Sequence, residues 1–170
     1  MNCQIRVDAI EALPSKTLAG YCAIVSPEGI LELHDKLWRA FLSRVEKTRC
    51  FEERAFYGVC CNLQANGLFE YWLTAEVDPG DQIPRDLIPF HLSGGTYGST
   101  VENCDFSLPK VYNSLVQDWS APPDYALDWK MPFIEIHNPG PARGSVVKVC
   151  LPLQFSVLNY KEYVSAYLGA

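Results

Sequence analysis

Two stretches of the chain repeat apolar residues at three- and four-residue steps, and much of the remainder alternates. In the first stretch Leu33, Leu37, Trp38, Phe41, Leu42 and Val45 fall on one side of a helix. Arg39, Ser43, Arg44 and Glu46 fall on the other. In the second, Leu108, Val111, Tyr112, Leu115, Val116 and Trp119 form the same stripe, with Ser107 placed to cap it and Pro122 and Pro123 to stop it. Alternation predicts strands over 4–10, 17–25, 56–63, 68–77, 87–92, 96–102, 133–137 and 146–151. The run Gln64–Gly67 (QANG) reads as a hairpin connection, because Asn-Gly adopts the tight turns that match strand twist. Gly94 and Gly95 read as a turn between their flanking strands, and a loop rich in proline and glycine separates the last two. The segment 157–168, with Tyr160, Val164, Tyr167 and Leu168 on one face, reads as a short third helix.

The element order is β-β-α-β-β, twice over. Thr17–Tyr21 (TLAGY) opens one half and Leu92–Tyr97 (LSGGTY) the other. Trp38 then falls opposite Tyr112, Phe41 opposite Leu115, and Val45 opposite Trp119. The predicted architecture is α+β: two β-α-β-β repeats with pseudo-two-fold symmetry, and an antiparallel sheet carrying two main helices and a cleft between the halves. One domain spans 1–155, with repeat one about 3–79 and repeat two about 85–153. Residues 156–170 form a C-terminal extension.

Composition narrows the function classes. Across 170 residues, 48% hydrophobic and 20% charged suits a packed domain. A net charge of -6 disfavours direct nucleic-acid binding, which needs a basic stripe, and suits a cationic ligand. No apolar run approaches the ~18 residues of a membrane span, and the N-terminus is polar, so the expected address is the cytoplasm with no membrane partner. The 7 cysteines are odd in number, irregularly spaced and lack any Cys-x-x-Cys pair. With 3 histidines they meet no zinc template, so reduced buried thiols, no metal and no cofactor are expected.

The most informative residue is Glu135. On a strand, Phe133, Glu135 and His137 point one way and Ile134 and Ile136 the other. A carboxylate among apolar neighbours needs a partner, a shifted protonation state or a wet cleft. The plainer alternative is a half-exposed strand whose polar face holds Glu135 and His137. Aligning the hairpins of the two halves on Gly67 and Gly144 puts Cys60 near Glu135. Trp38, Tyr71, Trp72, Tyr112 and Phe133 are the candidate aromatic wall. Rings with one carboxylate suit a flat cation through stacking, cation–π contact and neutralisation. Tyr71 and Trp72 are adjacent on a strand and face opposite sides. His34 reads as a residue at the edge of the helix stripe. No phosphate loop and no Ser-His-Asp or Cys-His constellation is present in the pattern.

The segments Thr17–Tyr21 (TLAGY), Leu92–Tyr97 (LSGGTY), Tyr112–Asp118 (YNSLVQD) and Pro132–Ile136 (PFIEI) resemble the bacterial DNA gyrase inhibitor protein and its wider GyrI-like family. That family includes effector-binding domains of some AraC- and MerR-type regulators. The resemblance spans roughly 3–153 and is closer in the second half. It implies a late-strand glutamate, here Glu135, in a cleft among aromatic rings, where it neutralises hydrophobic cations. It also implies two alternatives: hydrolysis of cyclopropane-bearing toxins with Glu135 as the catalytic residue, or modulation of DNA gyrase as a partner. Phe69–Tyr71 (FEY) resembles a further motif and places Tyr71 near the middle. The chain departs from the family at Ser26–Gly29, Cys104, Val147 and His137, the last standing where tyrosine or another bulky residue is usual. With no DNA-binding helix pair ahead of the domain, the expectation is a stand-alone binding module for hydrophobic, cationic small molecules.

Overall fold

The computed structural model describes residues 7–48, 51, 53–101, 121–137 and 148–156. Among these lie nine strands and one helix. They are β1 (Ala9–Leu13), β2 (Lys16–Val25), α1 (Ile30–Val45), β3 (Phe56–Cys61), β4 (Phe69–Glu76), β5 (Ile88–Leu92), β6 (Gly95–Val101), β7 (Tyr125–Leu127), β8 (Phe133–His137) and β9 (Lys148–Phe155). The expected helices over 108–119 and 157–168 lie outside the described residues. So does the expected loop between β8 and β9.

Helix α1 follows its stripe. The Ser26 hydroxyl accepts from the Gly29 amide at 3.1 Å just ahead of the first turn. Ile30, Phe41 and Val45 are buried, and Leu33, Leu37, Trp38 and Leu42 pack against the same core from its margin. The β3–β4 hairpin also forms as the turn chemistry requires. Gly67 takes φ +82, a conformation open to glycine at little cost.

The sheet order is β1-β6-β9-β8-β3-β4-β2-β5, every pair antiparallel, with β7 paired to β9. Strands β5 and β6 do not form the hairpin expected at Gly94 and Gly95. Instead β6 pairs with β1, from Ala9↔Ser99 to Leu13↔Gly95. In the same register, β5 pairs with β2 from Lys16↔Leu92 to Gly20↔Ile88. One antiparallel ladder therefore runs through a corner, with Pro14 and Ser15 on one chain segment and Ser93 and Gly94 on the other. The two ends of the sheet path meet there, so neither segment is left as an open edge. Gly94 is required at that corner because a β-carbon would stand 2.8 Å from both the Leu13 oxygen and the Ser15 nitrogen.

Two further departures are local. Of the strand expected over 4–10, residues 4–6 lie outside the described residues; the strand described there is Ala9–Leu13, which runs past Ile10 because β6 continues its ladder opposite Glu11 to Leu13. The short β7 has no alternation to announce it; pairing of Tyr125 with Phe155 and Leu127 with Leu153 makes it a strand.

The pleat sorts the core into two clusters. One face of the sheet, with Phe56, Cys60, Phe69, Tyr71, Leu73, Ala75, Phe133 and Val149, packs against α1. The other holds Leu18, Tyr57, Val59, Leu92, Tyr97, Ile134 and Cys150. No helix among the described residues is long and apolar enough to cross a membrane.

Candidate functional site

Glu135 lies on the α1 face, on the pair β3–β8 near the middle of the strand order. Register sets Phe56 opposite His137, Gly58 opposite Glu135 and Cys60 opposite Phe133. The neighbour of the carboxylate is thus Gly58; the offset between Gly67 and Gly144 equates Gly58 with Glu135, and Cys60, two residues on, stands opposite Phe133. A β-carbon on Gly58 would stand 2.6 Å from Oε2 of Glu135 and 3.2 Å from the Tyr71 hydroxyl oxygen. The missing side chain is the space the carboxylate occupies. An unexplained glycine inside an apolar strand was the signal available for it. Gly58→Ala is expected to lose about 1–3 kcal/mol of stability through overpacking. Equilibrium urea denaturation beside wild type checks this, and an unchanged midpoint would mean the carboxylate has free space elsewhere.

Glu135 is 1% exposed, so it sits in the core rather than on a wet strand face. Its Oε2 lies 3.3 Å from Nε2 of His137, which is itself 2% exposed. Its Oε1 has no hydrogen-bond partner among the described residues, and neither does the Tyr71 hydroxyl. Burial first, and then the neighbouring carboxylate of Glu135, push the Tyr71 phenol well above its usual range. A buried carboxylate with an oxygen left over is costly in a folded protein, and a cation is the group that offsets it best.

Rings surround this centre. The Trp38 ring is 4.9 Å from that of His137 and meets Phe56 edge-on at 6.4 Å. His34, one helical turn before Trp38, stacks on it at 6.2 Å and lies 5.9 Å from Tyr71. Phe133 shares the strand face with Glu135 and packs at 5.5 Å against Trp129, which is exposed. Four of the six residues expected at a binding site, Glu135, Trp38, Tyr71 and Phe133, therefore share one face. Trp72 does not join them: it packs on Phe90 at 4.8 Å across the sheet and donates Nε1–H to Glu70 at 2.9 Å. Tyr112 lies outside the described residues. His34 and His137 were legible only as edge and strand-face residues, since their meeting depends on how α1 lies on the sheet.

The Tyr71 hydroxyl meets no partner at full hydrogen-bond geometry among the described residues, although it lies beside the Glu135 carboxylate, so Tyr71→Phe should leave stability within about 1 kcal/mol of wild type. Chemical denaturation tests this, and a loss of about 2 kcal/mol or more would show that the hydroxyl is held.

Among the described residues, Cys22, Cys61 and Cys150 offer no nucleophile. Burial pushes the Cys61 and Cys150 thiols up to about 12 and Cys22 to about 11, far from thiolate at neutral pH. Among the described residues no three His, Cys, Asp or Glu groups converge on a point that could hold a metal.

A family model described as Cass2, integron-associated effector binding protein, matches residues 9–152. No curated protein matches the chain. Solved structures share the fold at low identity. SAV2435, described as bound to tetraphenylphosphonium, superposes with a TM-score of 0.63 at 12% identity over 91% of this chain and 97% of that one. The integron cassette protein from the mobile metagenome of Vibrio cholerae gives 0.59 at 10% identity over 86% and 95%. The C-terminal domain of EcmrR gives 0.55 at 13% over 87% and 97%.

Proposed function

The chain belongs to the integron-associated effector-binding protein family, of GyrI-like fold, and on that premise we propose that it binds hydrophobic cations with Glu135 as their counter-charge. The observation that carries this reading is the buried carboxylate with Oε1 unpartnered among the described residues. Trp38, Tyr71 and Phe133 would supply the aromatic surface, joined by His34 and His137. The tetraphenylphosphonium bound to SAV2435 has the chemistry such a centre selects: one delocalised positive charge inside an apolar shell. Since Glu135 is buried, the ligand reaches it only when side chains above the sheet move aside. Apparent affinity therefore includes the cost of that opening.

Strand order supports two repeats around this site. Exchanging β1, β2, β3 and β4 for β5, β6, β8 and β9 turns the order into its own reverse. Gly58 precedes Gly67, and Glu135 precedes Gly144, by the same nine residues, so Gly58 and Glu135 are equivalent positions that also face each other. A pseudo-dyad passes between them. Two glutamates there would place two carboxylates in one space, which explains a glycine on one strand and the acid on the other.

A second reading rests on the contact between Glu135 and His137: a carboxylate poised by an imidazole can act as a general base on water. The two readings separate by turnover. Calorimetric titration with tetraphenylphosphonium tests binding; incubation with a cyclopropane-bearing electrophile tests hydrolysis, which requires product beyond one equivalent of protein. Saturable binding without turnover supports the first reading, and turnover without cation binding replaces it with the second.

A further inference from the structure

We propose that the cation taken at Glu135 is one that carries N–H donors, a protonated primary or secondary amine, recognised by the Glu135 carboxylate and the Tyr71 hydroxyl together. The inference rests on the cation-binding reading above and narrows it to a ligand class. Oε1 of Glu135 and the Tyr71 hydroxyl oxygen are buried without a hydrogen-bond partner among the described residues. Their residues are 1% and 0% exposed, so bulk water does not serve them. Orphaned polar atoms in a core are uncommon, and two in one place make a site with acceptors to offer.

Gly58 brings the two together. A β-carbon there would stand 2.6 Å from Oε2 of Glu135 and 3.2 Å from the Tyr71 hydroxyl oxygen, so both groups border the same small space over β3. Oε2 already faces His137 at 3.3 Å, which leaves Oε1 as the carboxylate's open acceptor. The phenol keeps its proton, because burial and the carboxylate beside it hold it well above its usual range. It therefore adds no second negative charge, and its oxygen still has a lone pair for a donor. The counter-charge comes from one residue and the acceptors from two.

The surrounding rings do not make this choice. Attraction between a cation and a ring face acts on an ammonium and on a quaternary ion alike. Solvation runs the other way, since an ammonium gives up hydrogen bonds to water on entering and a quaternary ion gives up none. Charge and rings alone therefore favour the quaternary ion, and two buried acceptors reverse the order. Tetraphenylphosphonium supplies the charge and the apolar shell but has no donor for either oxygen.

Successive methylation of one amine counts the acceptors. Naphthylmethylamine and its N-methyl, dimethyl and trimethyl forms each carry one positive charge at neutral pH, with three, two, one and no N–H donors. Titration calorimetry of the wild-type protein should find the first two about equally tight. Affinity should then fall roughly three- to tenfold at the dimethyl form and by a similar factor again at the trimethyl form. Tyr71→Phe keeps the ring and removes one acceptor, so the fall at the dimethyl form should vanish while the fall at the trimethyl form remains. Affinity that stays level or rises with methylation would overturn the inference and leave the cation-binding reading intact. A fall confined to the trimethyl form in wild type would mean a single acceptor and overturn the pairing. Both falls persisting in Tyr71→Phe would overturn it as well. If Tyr71→Phe does not fold, the wild-type series decides. Failure of the amines and of tetraphenylphosphonium to bind at all would remove the cation-binding reading and this inference with it.

Discussion

Replacing Glu135 with glutamine should weaken tetraphenylphosphonium binding by about ten- to a hundredfold, the range of a buried charge-assisted contact of roughly 1–3 kcal/mol. The amide keeps the shape of the carboxylate and can still meet His137, so packing is conserved while the counter-charge is lost. The folded protein itself should hold or gain stability, because it no longer buries an acid with one oxygen unpartnered among the described residues. That opposition between a weaker ligand and an equal or higher melting temperature distinguishes a site held for function from a structural ion pair. Calorimetry and thermal denaturation of the same two samples measure both sides. Affinity within threefold of wild type would remove Glu135 from the ligand, and a steep fall in melting temperature would make the Glu135–His137 contact structural.

The largest stability effect is expected at Gly20. A β-carbon added there would stand 1.8 Å from the Leu73 carbonyl oxygen and 2.7 Å from the Thr74 α-carbon, both backbone atoms of the paired strand β4. Backbone cannot swing away as a side-chain tip can, so Gly20→Ala must separate β2 from β4 locally. Gly20 is also opposite Ile88 on β5, so the same strand is clamped from both sides. The expected loss is at least about 3 kcal/mol, at or beyond the upper end of overpacking effects. Gly80→Ala is the useful comparison. There φ is +98 but nothing lies within 4 Å, so only the conformational penalty applies, roughly 1 kcal/mol. Urea denaturation of the two variants beside wild type tests the contrast. Similar midpoints for both would mean that the sheet yields around Gly20 far more readily than its geometry implies.

The parts of this protein legible in its sequence are those governed by neighbours along the chain. The stripe from Leu33 to Val45 announced α1, since burial on one helical face needs only three- and four-residue spacing. Asn66 and Gly67 announced the hairpin, because a two-strand turn is a local event. Glu135 stood out since an acid between Ile134 and Ile136 needs a reason, and alternation placed Phe133 and His137 on its side. The adjacency of Tyr71 and Trp72 showed that one of them must face away from any shared site.

Which of the two faces away is set by packing, as is the course of the chain through the corner at Gly94. The pairing of β5 with β2 and β6 with β1 joins residues some seventy to ninety positions apart, and no local preference distinguishes it from a simple hairpin. Register across β3 and β8 set Gly58 directly opposite the carboxylate. The lie of α1 on the sheet brought Trp38 over His137. Residue order alone established which positions were apolar, where chain direction could turn and that one strand carried an acid. Closure of the sheet and packing of α1 settled what that acid meets, because non-local pairing is selected by the summed burial of whole faces and not by any single residue's preference.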